Sequence, residues 1–164
     1  RDWSSDVCSS DLLTGASGLL GSYYARTLLE AGANMALIDH NTRVSQAIKE
    51  EFTNARQTVQ VYKCDLSKPN QINSTIKKIM KDFPTIDVLI NNAAFVSAKT
   101  FAIKDFKNFE THPFDLWKKA FEVNIDAPFI LSQKVLGIMK KQKSGSIINI
   151  SSNYGIVGDR KSVV

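Results

Sequence analysis

The sequence is poor in the features that mark several classes of protein. Two cysteines in 164 residues are too few for a disulfide framework, so we expect a reducing, cytoplasmic environment. No apolar run reaches the roughly 20 residues that cross a bilayer, and the N-terminus has no signal-peptide pattern. We therefore expect no membrane partner. His40 and His112 have no possible metal ligand at useful spacing, so we expect no metal site.

The formal net charge of +5 suggests an anionic partner, but the positions of the lysines favour a simpler interpretation. Lys77, Lys78 and Lys81 share a predicted amphipathic helix with Ile76 and Ile79, which places them on its solvated face. There is no basic stripe interleaved with aromatic residues and no zinc or helix-turn-helix signature. We therefore expect no nucleic-acid partner.

Short apolar segments alternate with longer amphipathic ones along the chain. This alternation predicts a parallel α/β sheet that is covered by helices on both faces. The last long helix is expected to loosen near Pro128. Predicted strands cover residues 35–38, 59–62, 88–90 and 147–150, and predicted helices cover residues 19–29, 44–52, 69–82 and 114–141.

A glycine-rich turn precedes the first predicted helix. Gly15, Gly18 and Gly21 are three residues apart, a spacing that permits a tight turn, approach of a pyrophosphate and close packing of a helix on the sheet. No Gly-Lys-Ser/Thr follows, which excludes a nucleotide triphosphatase P-loop. The turn by itself is weak support for nucleotide binding, because a glycine-rich loop can also have no ligand.

Asp39 strengthens the interpretation of this turn. It ends the next predicted strand, about 20 residues further on, where a carboxylate accepts hydrogen bonds from the adenosine ribose of a dinucleotide. A carboxylate at this position repels a 2′-phosphate, so we expect NAD, with NADP less favoured. Arg43 lies close enough in sequence to weaken that preference.

Five motifs in order resemble the short-chain dehydrogenase/reductase family over residues 13–158. They are Thr-Gly-x-x-Gly-x-x-Gly from Thr14, Cys64-Asp65-Leu66, Asn91-Asn92-Ala93-Ala94, Val123-Asn124-Ile125 and Ile148-Asn149-Ile150-Ser151-Ser152. The resemblance implies a Rossmann-like, doubly wound parallel sheet in three α/β/α layers. Two departures stand out. The middle glycine lies one residue earlier than in the compact branch, as in the extended, sugar-nucleotide branch, and Ala94 replaces a frequent glycine.

The resemblance also assigns roles to individual residues. Ser152 resembles the catalytic serine that hydrogen-bonds the substrate oxygen, and Asn124 resembles the asparagine that holds a helix kink and a water of the proton relay. Asp65 and Leu66 would contact the adenine, and Asn91 and Ala93 would line the adenosine side. The full expected cofactor set is Thr14, Gly15, Ser17, Gly18, Leu19, Leu20, Gly21, Asp39, Asp65, Leu66, Asn91 and Ala93.

Both ends of the chain depart from the family pattern. The DNA that would encode residues 2–12 and 159–164 resembles a common sequencing-library adapter, so we interpret residues 1–12 and 159–164 as artefacts flanking a partial NAD(P)-binding domain at 13–158. We expect a degraded first strand, because Asp6 and Asp11 would bury carboxylates inside a parallel sheet. We also expect the C-terminal strands to be absent.

The family's acid/base is a tyrosine followed four residues later by a lysine, and none of the four tyrosines has that neighbour. We therefore expect this chain to be inactive and to derive from an oxidoreductase that moves hydride between a nicotinamide cofactor and an alcohol/carbonyl substrate. The long segment at 95–112 and the glycine spacing favour a sugar or polysaccharide precursor as substrate, with a polyol, a steroid or a 3-oxoacyl compound as alternatives. The family implies a homodimer or homotetramer formed through helix 114–141. A non-catalytic nucleotide sensor or scaffold, and an extended-branch sugar-nucleotide epimerase, remain as alternatives.

Overall fold

The computed structural model describes residues 9–53, 55–96 and 109–152, which form a five-stranded sheet with helices on both sides. The strands are β1 (Ser10–Thr14), β2 (Asn34–Asp39), β3 (Val59–Lys63), β4 (Val88–Asn91) and β5 (Ser146–Asn149). The α-helices are α1 (Leu19–Glu30), α2 (Arg43–Glu51), α3 (Pro69–Asp82), α4 (Phe114–Phe121) and α5 (Ala127–Gln142). A short 3₁₀ turn spans Phe109–Thr111, and a π-helical turn spans Glu122–Asp126.

All strand pairs are parallel, and the strand order is β3-β2-β1-β4-β5. The chain builds outward from β1 to β3, then crosses back to lay β4 on the other side of β1. Ligands of such sheets bind in the crevice at the carboxyl ends of the strands where this reversal occurs. The reversal therefore places the crevice between the ends of β1 and β4.

The core lies on both faces of the sheet because successive strand residues point to opposite sides. Leu12 packs with α3 and α5 through residues such as Ile76 and Leu131. Leu13 packs with α1 and α2 through Leu29 and Ile48. The two clusters make three α/β/α layers, which confirms the predicted fold class. In the part of the chain that the structure describes, each helix is too short or too polar to cross a membrane.

The long predicted helix at 114–141 is divided, and the division lies slightly before the expected position. The structure places one π-helical turn at Glu122–Asp126, between α4 and α5. Pro128 has no N–H, and its ring crowds the carbonyl group four residues earlier, that of Asn124. The wider turn accommodates this crowding, so the irregularity falls one turn before the proline rather than at it.

The first strand is where sequence and structure differ most. We expected a degraded strand and a domain that begins at residue 13, but β1 runs over Ser10–Thr14 and pairs with both β2 and β4. The expected boundary at residue 13 lies within β1, and the boundary itself stays a prediction. The expected free-energy cost of burying a carboxylate is nevertheless present, because Asp11 is buried and its Oδ1 has no hydrogen-bond partner among the described residues. Residues 1–8 and 153–164 lie outside the described residues, so the proposed artefactual origin of the ends stays a prediction.

Candidate functional site

The glycine turn between β1 and α1 needs two of its glycines for internal packing. Gly15 has a φ of +67°, a conformation that favours glycine, and a Cβ there would lie 2.7 Å from the Cα of Ala93. A Cβ at Gly21 would overlap the carbonyl group of Gly15. The turn therefore lies directly against the end of β4, and the first turn of α1 lies directly against the glycine turn.

Gly18 has a different role in the turn. Its backbone is extended, with φ −74°, and a Cβ there would meet only the carbonyl oxygen of Gly15 within 4 Å, at 3.1 Å, among the described residues. Gly18 is exposed and caps α1, whose first turn begins with the exposed Leu19 and Leu20 and has no acidic residue. An exposed glycine at a helix N-terminus suits a pyrophosphate, which the first amide groups of the helix can bind.

Asp39 lies at the end of β2, as predicted, and it is tied to the glycine turn. Its Oδ2 accepts the N–H of Ser17 at 2.9 Å, and its Oδ1 accepts the N–H of Asn41 at 3.0 Å. Nδ1 of His40 lies 3.0 Å from the same Oδ1. These donors fix the orientation of the carboxylate, while each of its oxygens keeps acceptor capacity for a ligand hydroxyl.

Thr14 and Asn92 connect the glycine turn to the end of β4. The Thr14 hydroxyl donates to the carbonyl oxygen of Ile90 at 3.4 Å and accepts the N–H groups of Asn92 and Ala93 at 3.0 and 3.1 Å. The Asn92 amide donates in return to the carbonyl groups of Thr14 and Gly15, at 3.0 and 3.3 Å. Asn92 was part of a quoted motif but not of the predicted site, so its role as a support of the turn is new.

Asn91 is buried at the end of β4. Its Nδ2 donates to Oδ1 of Asn149 at 2.8 Å and to the hydroxyl of Ser132 at 3.3 Å, which joins β4 to β5 and α5. Its Oδ1 has no hydrogen-bond partner within the described part of the chain. The side chain thus ties three elements together beneath the crevice.

Asp65 follows β3 and holds the start of α3. Partial burial raises its pKa, but hydrogen bonds from the hydroxyl and N–H of Ser67 outweigh this, so the pKa lies below the usual range. Lys119 and Lys68 add to the lowering. Leu66 is buried in the core with Ile72, so its side chain packs the fold at the position where the resemblance predicted an adenine contact.

Asn124 lies in the π-helical turn, and its amide is paired with the backbone of Phe95. Its Oδ1 accepts the Phe95 N–H at 2.7 Å, and its Nδ2 donates to the Phe95 carbonyl oxygen at 3.1 Å. Nζ of Lys119 lies 5.2 Å from the centre of the Phe95 ring. The asparagine therefore anchors the segment that leaves β4.

Ser152 is exposed, three residues after the end of β5.

The crevice at the reversal thus gathers the glycine turn, Asp39 and the Asn92 turn into one hydrogen-bonded unit. Asp65 and Asn124 lie on neighbouring strand and helix ends without a direct hydrogen bond to that unit. The described residues contain no group of three or more His, Cys, Asp or Glu side chains that could hold a metal ion. Sheet order, glycine turn and carboxylate together define a Rossmann-like fold of the dinucleotide-binding class.

Comparison with known proteins identifies the family within this class. The family model described as short chain dehydrogenase matches residues 11–164. The chain therefore belongs to the short-chain dehydrogenase family. Sorbose reductase of Candida albicans is 33% identical over 88% of this chain and 50% of its own length. The 7alpha-hydroxysteroid dehydrogenase of Bacteroides fragilis is 28% identical over 90% of this chain and 55% of its own length.

Solved structures agree with this assignment. An NAD⁺-bound xylitol dehydrogenase superposes with a TM-score of 0.79 at 26% identity, covering 92% of this chain and 55% of that one. A metagenomic short-chain oxidoreductase in complex with NADP gives 0.78 at 28% identity, covering 88% and 62%. The chain thus spans about half the length of the curated relatives it matches.

Proposed function

We propose that this chain is the cofactor-binding part of an NAD(H)-dependent oxidoreductase that acts on an alcohol/carbonyl pair. The observation that carries the proposal is the Asp39 carboxylate, held at the mouth of the crevice by the Ser17 N–H at 2.9 Å. A fixed carboxylate at the end of β2, beside an open glycine turn, is the arrangement that receives the adenosine ribose of a dinucleotide. Relatives whose names describe reductases and dehydrogenases support it.

Each described residue of the site has a task in this proposal. The turn from Thr14 to Gly21 receives the pyrophosphate, Asp39 the ribose hydroxyls, and Asp65 with the backbone of Leu66 the adenine. Asn91 and Ala93 shape the end of β4 beneath the cofactor. The bound nicotinamide ring supplies the hydride acceptor or donor, and the chain's residues bind and orient it.

NAD is preferred to NADP in this proposal because of charge. A 2′-phosphate would lie against the buried Asp39 carboxylate, and two like charges at hydrogen-bond distance repel strongly where little water screens them. The two solved relatives named above bind NADP and NAD⁺ respectively, so the family accommodates both. The preference of this chain therefore depends on Asp39.

In the oxidoreductase of which we propose that this chain is a part, Ser152 and Asn124 would serve catalysis. The exposed hydroxyl of Ser152 would hydrogen-bond the substrate oxygen and stabilise the charge that develops on it. Asn124 would hold the π-helical turn and the Phe95 backbone next to that position. Since the 164 residues contain no tyrosine with a lysine four residues later, we propose that this chain binds cofactor without turnover.

A sugar or polyol is the proposed substrate class. Sorbose reductase and xylitol dehydrogenase among the similar proteins support it, whereas the hydroxysteroid dehydrogenase relative supports a steroid. Most of the long segment at 95–112, which together with the glycine spacing favours a sugar, lies outside the described residues. A panel of polyols, sugars and steroids tested with the full-length protein would distinguish these classes.

Self-assembly through α4 and α5 is the proposed quaternary arrangement. Trp117 and Phe121 contact each other in a tilted arrangement with ring centres 4.8 Å apart, and both are about half exposed. Phe114, Ile125 and Phe129, in the same stretch of helix, have exposed fractions of 57–74%. Exposed large apolar side chains that form a patch are typical of an interaction site. Sedimentation of the full-length protein, with Phe129→Ser compared against wild type, tests the arrangement.

The cofactor proposal is tested by calorimetric titration of the chain with NAD⁺ and NADP⁺. We expect NAD⁺ to bind more tightly, and Asp39→Ala to weaken NAD⁺ about tenfold, as loss of hydrogen bonds to a charged group would. Asp115→Ala, at an exposed position on α4, serves as the matched control and should leave binding unchanged. Undetectable binding of both nucleotides by the wild-type chain would reject the proposal.

A further inference from the structure

Ser45, in the first turn of α2, is completely buried and contacts the glycine turn. Its hydroxyl lies 2.7 Å from the hydroxyl of Ser17, and its N–H donates to the same Ser17 oxygen at 3.2 Å. The N–H groups in the first turn of a helix have no partner inside the helix. Ser17, 28 residues earlier in the chain, supplies one of the missing acceptors.

The contact continues from Ser17 to the carboxylate at the end of β2. While the Ser17 side chain is bound to Ser45, the Ser17 N–H donates to Oδ2 of Asp39 at 2.9 Å. The other carboxylate oxygen accepts the N–H of Asn41, which lies between β2 and α2. The chain of contacts from Ser45 through Ser17 to Asp39 therefore closes a ring that includes the glycine turn, the end of β2 and the start of α2.

We propose that Ser45 is a positioning residue for nucleotide selection: it holds Ser17 so that the Asp39 carboxylate meets the ribose 2′-hydroxyl and repels a 2′-phosphate. This inference rests on the proposed function. Ser45 is 0% exposed, so it cannot touch a nucleotide itself. Its influence passes through the backbone N–H of Ser17, the donor that orients Asp39.

The expected consequence is a change of preference rather than a general loss of binding. Without the Ser45 hydroxyl, Ser17 keeps the helix N–H but loses its 2.7 Å hydroxyl partner, and the turn that orients Asp39 loosens. A carboxylate that can rotate loses hydrogen-bond energy to a 2′-hydroxyl and also repels a 2′-phosphate less. Damage to the fold alone would weaken both ligands equally.

The test uses ADP-ribose and its 2′-phosphorylated form, which present the adenosine half of the cofactor to the described residues. We expect Ser45→Ala to weaken the binding of ADP-ribose about fivefold, as measured by calorimetric titration. The binding of the 2′-phosphorylated ligand should be unchanged or slightly tighter. Alanine suits a helix interior, so the variant should fold. Ser17→Ala, which removes the same contact from the other side, should shift the ratio of affinities in the same direction.

The coupling to Asp39 provides the decisive control. In an Asp39→Asn background, Ser45→Ala should have no further effect on the ratio, because the charge through which it acts is gone. Ser74→Ala, an exposed helical serine that bonds the Gln71 carbonyl group, is the matched control and should change neither affinity. Equal weakening of both ligands, or the same loss in the Asp39→Asn background, would overturn the role of Ser45. A wild-type chain that binds neither ligand would overturn the proposed function as well.

Discussion

Asp39 and Asp11 are both buried carboxylates on neighbouring central strands, and the protein treats them in opposite ways. Asp39 is the last residue of β2, where the ladder ends and the chain turns. Asp11 is the second residue of β1, opposite Met35 on one side and Val88 on the other. The two positions differ in whether backbone N–H groups are available to donate hydrogen bonds to the carboxylate.

At the strand end, N–H groups are free to point at a side chain. Asp39 receives those of Ser17 and Asn41. Inside β1 the N–H groups belong to the ladders with β2 and β4, so Oδ1 of Asp11 has no partner among the described residues. The pKa of Asp11 is raised to about 6, chiefly by burial; a hydrogen bond with Ser9 offsets part of this rise, and the charge of Asp87 adds to it. A buried carboxylate is therefore well supplied with hydrogen-bond donors at the strand end and poorly supplied inside the strand.

The largest expected effect is the loss of stability when the glycine turn that donates a hydrogen bond to Asp39 is overpacked. In Gly21→Ala the new methyl group would overlap the Gly15 carbonyl group, which is backbone and cannot rotate away. We expect a loss of at least about 3 kcal/mol in unfolding free energy, at the upper end of overpacking costs. Urea denaturation measures it. Gly137→Ala is the control and should be neutral or stabilising, because a Cβ there meets no atom of the described residues within 4 Å. Equal stability of the two variants would contradict the packing argument.

The next effect has the opposite sign and lies at the other end of β1. Asp11→Val replaces a poorly paired buried carboxylate with an apolar, β-branched side chain suited to a central strand. We expect a gain of about 2 kcal/mol at pH 7, the scale of a buried polar group without its partner. Asp11→Asn, which removes the charge but stays polar, should fall between valine and wild type. A destabilised Asp11→Val would show that the carboxylate is well accommodated.

A smaller loss is expected at Asp39. Asp39→Ala leaves the N–H groups of Ser17 and Asn41 without their acceptor, but both lie near solvent and can bind water. We expect a loss of about 1–2 kcal/mol, below the full value of two charge-assisted hydrogen bonds. Thermal unfolding of the two single variants, Asp39→Ala and Asp11→Val, tests the contrast between a stabilising and a destabilising buried carboxylate. Shifts of the same sign for both would remove it.

Local pattern was sufficient to predict the parallel α/β class, the start of α3 at Pro69 and the glycine turn before α1. Leu12 and Leu13 explain why the prediction for β1 differed from the structure. Both are completely buried, one on each face of the sheet, and their burial fixes the register that carries Asp11 inside. The free-energy cost of burying Asp11 could be predicted from the sequence. The larger gain from burying Leu12 and Leu13 depends on packing, which the sequence does not show.

The contacts that sequence reasoning missed join residues far apart in the chain. Asn92 supports Thr14 across 78 positions, and Ser45 reaches Ser17 across 28. Asn92 lay within a motif that was recognised, so only its role was missing. Ser45 lies in an ordinary amphipathic helix, and the signal that could have found it is a polar residue at a position that the helical period assigns to the core.

The last expected effect is a pH dependence that isolates Asp11. Its folded pKa of about 6 lies above the ordinary value of 3.8, so this group favours folding below that ordinary value and loses the contribution as pH rises through 6. The stability advantage of Asp11→Val over wild type should therefore shrink steadily as pH falls from 7 to 4. The difference between Asp11→Val and Asp11→Asn should stay constant, because neither new side chain titrates. Urea denaturation of the three proteins at several pH values measures both differences. An advantage of valine that is constant with pH would mean that Asp11 titrates alike in the folded and unfolded chain, and that the buried strand position does not set its pKa.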